Sequence, residues 1–237
     1  MNLAVFDIDG TLTATNEVDD VCFVQALADA HGITDINTDW ASYPHTTDSA
    51  IISHIYQQRF SREPETLEID EIKRCFVRLL KENRQKRPAL FDEITGAASM
   101  LTQLKQEPDW RIAIASGSWG VAAELKLEEA KIETDQIVTA YADDGFSREE
   151  ILRSAISKGR CEFREQSFDR IVSIGDGVWD LRTARNLSLP FIGIGDADRA
   201  DRLRQQGATH VLKDFVPYPQ VLRCLVEAEV PADGKSY

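Results

Sequence analysis

The chain has 237 residues, 43% of them hydrophobic, which is enough for an ordinary globular core and argues against a disordered protein. Its net charge of -13 argues against a protein that holds nucleic acid or a membrane surface through a general positive field. A small anionic ligand is compatible with this charge only where a local cation offsets it.

The cysteines are widely spaced and form neither a CxxC pair nor a cluster with histidine, so we interpret them as free thiols of a reducing compartment. The first residues lack a basic segment ahead of an apolar one, which argues against a signal peptide. No apolar run reaches the roughly 20 residues that span a bilayer. These patterns predict a cytoplasmic protein with no membrane association.

Short apolar runs rich in β-branched residues predict buried strands at residues 3–6, 111–115, 136–140, 170–174, 191–194 and 210–212. From residue 111 onward these runs alternate with helical patterns. Such alternation predicts an α/β fold, a doubly wound Rossmann-like parallel sheet with helices on both faces.

About a hundred residues separate the first two predicted strands, far more than a crossover helix requires. Apolar residues at helical spacing predict helices within this interval. We interpret residues 16–88 as an inserted helical domain, and residues 1–15 and 89–237 as the domain that contains the sheet. A helix at about 94–104 is expected to lead back to the sheet, and the C-terminal PADGKSY is expected to fray.

Parallel sheets bind ligands beyond the carboxyl ends of their strands, so the residues at those ends carry most of the functional information. Residues that can bind phosphate or metal follow three of the predicted strands: Asp7 and Asp9 after the first, Ser116 and Gly117 after the second, and Asp176 and Asp180 after the fourth. The fold would bring these distant segments to one edge.

Carboxylates gathered at one edge repel each other, by about 4 kcal/mol for two unit charges ~4 Å apart at an effective dielectric of 20. A cation is therefore expected among Asp7, Asp9, Asp176 and Asp180. Ligation by carboxylate oxygens favours Mg²⁺ over zinc. Each aspartate taken alone can also be read as a helix cap or a turn residue, and only their joint placement favours a metal site.

Four segments in this order resemble the motifs of the haloacid dehalogenase superfamily: Asp7-Ile8-Asp9-Gly10-Thr11, the strand ending at Ser116, a basic residue at a helix start, and GDGVWD at residues 175–180. The helical insertion is similar in position to that superfamily's cap domain. Within that superfamily, the chain resembles the phosphoglycolate phosphatase, β-phosphoglucomutase and phosphoserine phosphatase branches. The resemblance implies a Mg²⁺-dependent phosphatase.

The resemblance implies that Asp7 is the nucleophile and forms an aspartyl phosphate, which splits one difficult displacement into two easier steps. Asp9 would protonate the leaving oxygen and then deprotonate the attacking water. Relatives that cleave carbon-halogen bonds usually lack this second aspartate, so its presence favours phosphoryl transfer. Asp176 would ligate Mg²⁺ directly, and Asp180 directly or through water.

The resemblance further implies a phosphate-binding role for Ser116 and Gly117, since a hydroxyl and backbone N–H groups ahead of a helix can hold phosphate oxygens. A plain helix cap is the alternative for Ser116, and Ser118 would serve equally well in that role.

The third motif requires a cation, and two residues compete for this role. Ser147 and Glu150 have the pattern of a capping box, which places Arg148 in the first helical turn, where a cation opposes the helix macrodipole. A residue that departs from the usual charge preference of a helix start can mark a functional site. Arg148 also matches the position of a lysine in the phosphoserine phosphatase branch and would balance Asp7 and the phosphate. Lys158 is the alternative, although a solvated helix charge explains that residue better.

The polar stretch just before the second helix of the insertion is the best candidate for contacts with the rest of the substrate, and we name His45, Thr47 and Asp48. Helix capping is the alternative for Thr47 and Asp48, and a surface position is the alternative for His45. A small phosphorylated metabolite is the expected ligand, and the sequence indicates no oligomeric state.

Two rival functions share this chemistry. A phosphomutase differs only in protecting the aspartyl phosphate from water, and a non-catalytic phosphate-binding protein would lack turnover. A dinucleotide-binding function is disfavoured because neither GxGxxG nor GxxxxGK[ST] is present.

Overall fold

The predicted strands form one parallel sheet in the computed structural model, which describes residues 1–232; the end of the PADGKSY segment lies outside the described residues. The strand order is β3-β2-β1-β4-β5-β6. The strands are β1 (Asn2–Phe6), β2 (Trp110–Ala115), β3 (Val138–Ala140), β4 (Arg170–Gly175), β5 (Phe191–Ile194) and β6 (His210–Leu212). The predicted α/β class is confirmed.

The third strand begins later than predicted because of a backbone constraint. Gln136, the first residue of the predicted run, has a φ of 63°, a left-handed conformation outside the extended region that strands use. The strand therefore starts at Val138, where the chain is extended.

The first strand lies in the centre of the sheet, paired with β2 on one side and β4 on the other. Leu3 and Val5 pack into one hydrophobic cluster and Ala4 and Phe6 into another, so β1 is covered on both faces. This explains why its sequence is apolar throughout instead of alternating. The strand order changes direction at β1 and β4, and such switch points are where these sheets bind ligands.

Helices α1 (Asn16–His31), α2 (Asp48–Phe60) and α3 (Thr66–Lys86) lie between β1 and β2, followed by α4 (Ala97–Leu104). Single turns of 3-10 helix occur at Trp40–Ser42 and Pro88–Phe91. The first three helices fall within the predicted insertion, 16–88, whose status as a separate domain stays a prediction.

The later helices cover the sheet. They are α5 (Gly120–Glu129), α6 (Arg148–Phe163), α7 (Val178–Asn186), α8 (Ala197–Gln205) and α9 (Tyr218–Glu227). Among residues 1–232, no helix combines the length and the apolar character needed to cross a membrane.

An aromatic cluster joins the inserted helices to the sheet side of the molecule. The ring of Phe76, on α3, lies edge-on to Phe23 of α1 at 5.7 Å and to Trp119 at 6.3 Å between ring centroids. Trp119 precedes α5, and its indole N–H donates to Ser49 of α2 over 2.9 Å. The inserted helices are thus fixed to the loop after β2 by both packing and a hydrogen bond.

Replacing Phe76 by alanine should lower the free energy of unfolding by about 3–5 kcal/mol, because the side chain is fully buried and its removal leaves a cavity. Leu67 lies on the same helix but is 77% exposed, so Leu67→Ala should change stability by about 0.5 kcal/mol or less. Urea unfolding of both variants measures the difference. Equal losses in the two would show that the aromatic cluster does not stabilise the fold.

Candidate active site

The turn after β1 places two carboxylates at the centre of the sheet edge. The carbonyl of Ile8 accepts hydrogen bonds from the backbone N–H groups of Thr11, Leu12 and Thr13 over 2.9–3.1 Å, which closes the chain into a tight turn. Gly10 has a φ of 76°, and a Cβ at this position would lie 2.1 Å from Oδ2 of Asp176. Glycine is therefore required here both by the backbone conformation and by the close approach of the GDGVWD segment.

The structure brings together three of the four predicted metal-binding aspartates. Asp7, Asp176 and Asp180 are buried, and each offers a carboxylate oxygen that lies within 4.8 Å of the others. Oδ2 of Asp176 accepts hydrogen bonds from Asn16 (2.8 Å) and from Arg199 (2.6 Å). The side chain of Asp9 is directed elsewhere, toward Lys126.

Arg148 lies at this carboxylate cluster, and Lys158 does not. Nη1 of Arg148 donates to Asp7 over 3.1 Å and to Asp180 over 2.7 Å. Nζ of Lys158 instead donates to the carbonyl of Thr139 over 3.0 Å, and its side chain is 44% exposed. Both residues belong to α6, and only the one at its first turn reaches the end of β1.

The predicted capping box explains how Arg148 is placed. Ser147 accepts a hydrogen bond from the N–H of Glu150 over 3.2 Å, and the Glu150 carboxylate accepts one from the N–H of Ser147 over 3.1 Å. This prediction is confirmed. The box fixes the first turn of α6, and Nε of Arg148 is fixed further by the carbonyl of Thr46 over 2.9 Å.

Burial in a low-dielectric environment changes the acidity of these groups. The pKa of Asp7 is raised to about 7, chiefly by burial and secondly by the charge of Asp180, while Arg148 opposes both. Burial likewise raises the pKa of Asp176 to about 7 against the opposing charge of Arg199. The pKa of Asp180 is raised to about 6, again by burial and against Arg148. When all three are ionised, these carboxylates carry one negative charge more than Arg148 and Arg199 neutralise.

The loop after β2 lies next to Asp7. Ser116 is buried, and its hydroxyl accepts a hydrogen bond from the N–H of Ser118 over 3.2 Å. Ser116, Gly117, Asp7 and Arg148 line one small cleft. A Cβ on Gly117 would lie 2.7 Å from the carbonyl of Thr46 and 2.8 Å from Nη2 of Arg148, so this glycine also makes room for the arginine.

A cavity of about 370 Å³ opens from this edge toward the inserted helices. Its walls include Asp7, Asp176, Gly117 and Arg148 on the sheet side. Asp19, Asp20, Phe23 and Trp40 line it on the side of the insertion. The cavity size suits a small metabolite.

The structure separates the three residues predicted to contact the substrate. Thr47 and Asp48 line the cavity, and both also hold the start of α2. Thr47 caps α2 by accepting from the N–H of Ala50 and donates to the carbonyl of Phe146; Asp48 accepts from the N–H of Trp119 over 2.8 Å. His45 is exposed, with its ring edge-on to Phe146 at 5.8 Å, and does not belong to the described lining of the cavity.

Lys126 was not among the residues predicted from the sequence. It belongs to α5, is fully buried, and donates to both oxygens of Asp9 and to Asp19 and Ser118. The pKa of Lys126 is raised, since its acidic partners outweigh the cost of burial. One signal was available, because position 126 lies at helical spacing from the apolar face of α5 formed by Ala122, Ala123 and Leu127.

Comparisons with known proteins agree with this fold. Three solved structures illustrate the fold, each under 20% identical in sequence to this chain. A hydrolase from Pseudomonas syringae is 18% identical, with a TM-score of 0.69 over 94% of this chain and 98% of that one. A β-phosphoglucomutase from Clostridium difficile is 17% identical, with a TM-score of 0.67 over 95% and 97%.

CbbY from Rhodobacter sphaeroides, in complex with phosphate, is 19% identical, with a TM-score of 0.64 over 91% of this chain and 95% of that one. No curated protein sequence matches the chain. The sequence model of the haloacid dehalogenase-like hydrolases matches residues 4–185, which include Asp7, Ser116, Arg148 and Asp180. The chain therefore belongs to the haloacid dehalogenase-like hydrolase family.

Proposed function

We propose that the protein is a Mg²⁺-dependent phosphatase that hydrolyses a small organic phosphomonoester through an aspartyl phosphate on Asp7. One observation carries this proposal: Asp7 is buried at the end of the central strand, bound by Arg148 and clustered with Asp176 and Asp180. Membership of a hydrolase family supports the reaction class.

The residues present suit a hard divalent cation. Asp7, Asp176 and Asp180 offer only carboxylate oxygens, the ligands that Mg²⁺ prefers. Oδ1 of Asp176 is buried without a hydrogen-bond partner among the described residues, as expected for an oxygen reserved for a ligand. Asp9 would contribute through its backbone carbonyl, because its carboxylate binds Lys126. Bound Mg²⁺ would neutralise the charge of the carboxylates and of the phosphate.

The reaction would proceed in two steps at Asp7. A carboxylate oxygen of Asp7 attacks phosphorus, the bond from phosphorus to the ester oxygen breaks, and Asp9 gives a proton to the leaving alkoxide. Water then attacks the aspartyl phosphate, Asp9 accepts its proton, and inorganic phosphate leaves with Asp7 restored. Arg148 holds Asp7 in place and offsets the negative charge that builds up on the phosphoryl group.

The inserted helices are proposed to act as a cap over the cavity. Their packing against the loop after β2 would exclude water from the reacting groups. Thr47 and Asp48 are the proposed contacts to the part of the substrate beyond the phosphate, since both line the cavity. His45 is a weaker candidate because it lies outside that lining. The proposed substrate is a small phosphorylated metabolite, and the proposed location of the reaction is the cytoplasm.

The protein should release inorganic phosphate from a panel of small phosphomonoesters only when Mg²⁺ is present. Asp7→Asn should lower kcat by about 10⁴-fold or more, because the nucleophile is lost. Phosphate release from p-nitrophenyl phosphate and from phosphorylated sugars, with and without EDTA, measures this. Isomerisation of a phosphorylated sugar without phosphate release would instead identify a phosphomutase, and an inactive wild type across the panel would favour phosphate binding alone.

Arg148→Met should lower kcat/KM by about 10²- to 10³-fold, because a cation directed at the developing charge is removed. Lys158→Met is the matched control, since it removes a cation from the same helix outside the site; we expect a change of about twofold or less. Steady-state kinetics of the two variants compares them directly. A larger loss in Lys158→Met would assign the third motif to Lys158.

Mg²⁺ should stabilise the protein more at pH 8 than at pH 5. The buried carboxyl groups of Asp7, Asp176 and Asp180 have pKa values of about 6 to 7, above the ordinary aspartate value of about 3.9. Between about pH 4 and pH 7 the folded protein therefore binds more protons than the unfolded chain, and this set of groups lowers stability as the pH rises. Mg²⁺ binds the ionised form and offsets that loss.

Thermal unfolding in EDTA and in Mg²⁺ at both pH values tests this prediction. The Asp176→Asn variant, which cannot ionise at this position, should show a smaller pH effect and a weaker response to Mg²⁺. A response to Mg²⁺ equal to that of the wild type would show that Asp176 does not hold the ion.

A further inference from the structure

A buried lysine adjoins the proposed acid/base residue, and the two-step reaction above assigns no role to it. The side chain of Lys126 is 0% exposed, and an ammonium group in such a position is costly unless it is paired and hydrogen-bonded. Nζ of Lys126 meets this condition with four contacts of 2.6–2.8 Å. Two of them go to Asp9.

The contacts of Lys126 fix the direction of the Asp9 carboxylate. Nζ lies 2.8 Å from Oδ1 and 2.7 Å from Oδ2 of Asp9. Among residues 1–232, the other partners of this carboxylate are hydroxyl groups, that of Thr15 at 2.6 Å and that of Ser118 at 3.4 Å. Lys126 is thus the charged partner that binds both oxygens at once, and the orientation of Asp9 depends on it more than on either hydroxyl.

The same ammonium group reaches the inserted helices. Nζ of Lys126 lies 2.6 Å from Oδ1 of Asp19, in the first turn of α1, and the side chain of Asp19 is only 16% exposed. It also lies 2.8 Å from the hydroxyl of Ser118, in the loop after β2. Lys126 therefore joins three parts of the chain that meet at the cavity: the turn after β1, the loop after β2 and α1.

We propose that Lys126 is a positioning residue that sets the direction of the Asp9 carboxylate and links it, through Asp19, to α1. A shift of α1 over the cavity would then move the acid/base group relative to the leaving oxygen. The inference rests on the proposed phosphatase function, because Lys126 acts on the reaction only through Asp9.

The dependence on the leaving group separates this role from a merely structural one. An alkyl phosphate leaves as a strongly basic alkoxide that needs the proton of Asp9, whereas 2,4-dinitrophenolate leaves unaided. The parameter kcat/KM covers the steps up to release of the leaving group and excludes hydrolysis of the aspartyl phosphate. A misplaced Asp9 should therefore lower kcat/KM for the alkyl ester and spare the activated aryl ester.

The double variant Lys126→Met with Asp19→Asn tests the proposal. Removing Lys126 alone would leave two carboxylates without their cation and could prevent folding, whereas the double change removes one charge of each sign. We expect kcat/KM to fall by about 10²-fold for glycerol phosphate and by about threefold or less for 2,4-dinitrophenyl phosphate. Asp19→Asn alone should also lower kcat/KM for glycerol phosphate relative to that for 2,4-dinitrophenyl phosphate, but by a smaller factor.

Leu127→Ala is the control for a loosened α5, because Leu127 is buried in the hydrophobic core next to Lys126 and its side chain has no polar atom that could bind Asp9. It should lower the melting temperature and leave the ratio of the two kcat/KM values unchanged. Circular dichroism verifies that each variant is folded. If the double variant loses kcat/KM equally for both esters, so that the ratio of the two values is unchanged, the proposal is overturned. An unchanged ratio in Asp19→Asn would overturn the link to α1. Failure of the wild type to hydrolyse either ester would instead overturn the proposed phosphatase function.

Discussion

The site depends on one electrostatic constraint, the burial of several aspartates at the end of a central strand. Each buried carboxylate loses hydration, and the loss is tolerable only where a cation or a set of hydrogen bonds replaces the water. Three helices that follow strands of the sheet supply the cations: Lys126 from α5 for Asp9, Arg148 from α6 for Asp7, and Arg199 from α8 for Asp176. The sheet thus supplies the acids and the surrounding helices supply the compensating charge.

This division also determines which parts of the site can be predicted from the sequence. The aspartates after β1 and β4 were found because strand ends are recognisable locally and parallel sheets bring them together. Arg148 was preferred over Lys158 through the capping box, another local pattern, and through its match to the third motif, and the structure places Arg148 beside Asp7. The strands were also predicted from local patterns, the short apolar runs, and the prediction differs at β3, which the left-handed conformation of Gln136 shortens.

Partners from distant segments were missed because their identity depends on tertiary packing. A lysine within an apolar helical face signals burial, but nothing in the sequence of α5 says that its ammonium group lies beside Asp9. Arg199 gave no signal, since α8 carries several arginines and only the fold selects the one that reaches Asp176. Among the residues predicted for the insertion, Thr47 and Asp48 combine a place in the cavity lining with a structural role in starting α2, whereas His45 packs on Phe146 outside the lining.

The contact between Gly10 and Asp176 has a consequence for how such sites diversify. An added methyl group at position 10 would occupy the place of a carboxylate oxygen that belongs to a segment more than 160 residues later in the chain. The first and fourth motifs therefore cannot vary independently: whatever changes the turn after β1 must also leave room for the acid after β4. A position with no side chain and no chemistry of its own thus constrains the evolution of the catalytic groups on both sides of it.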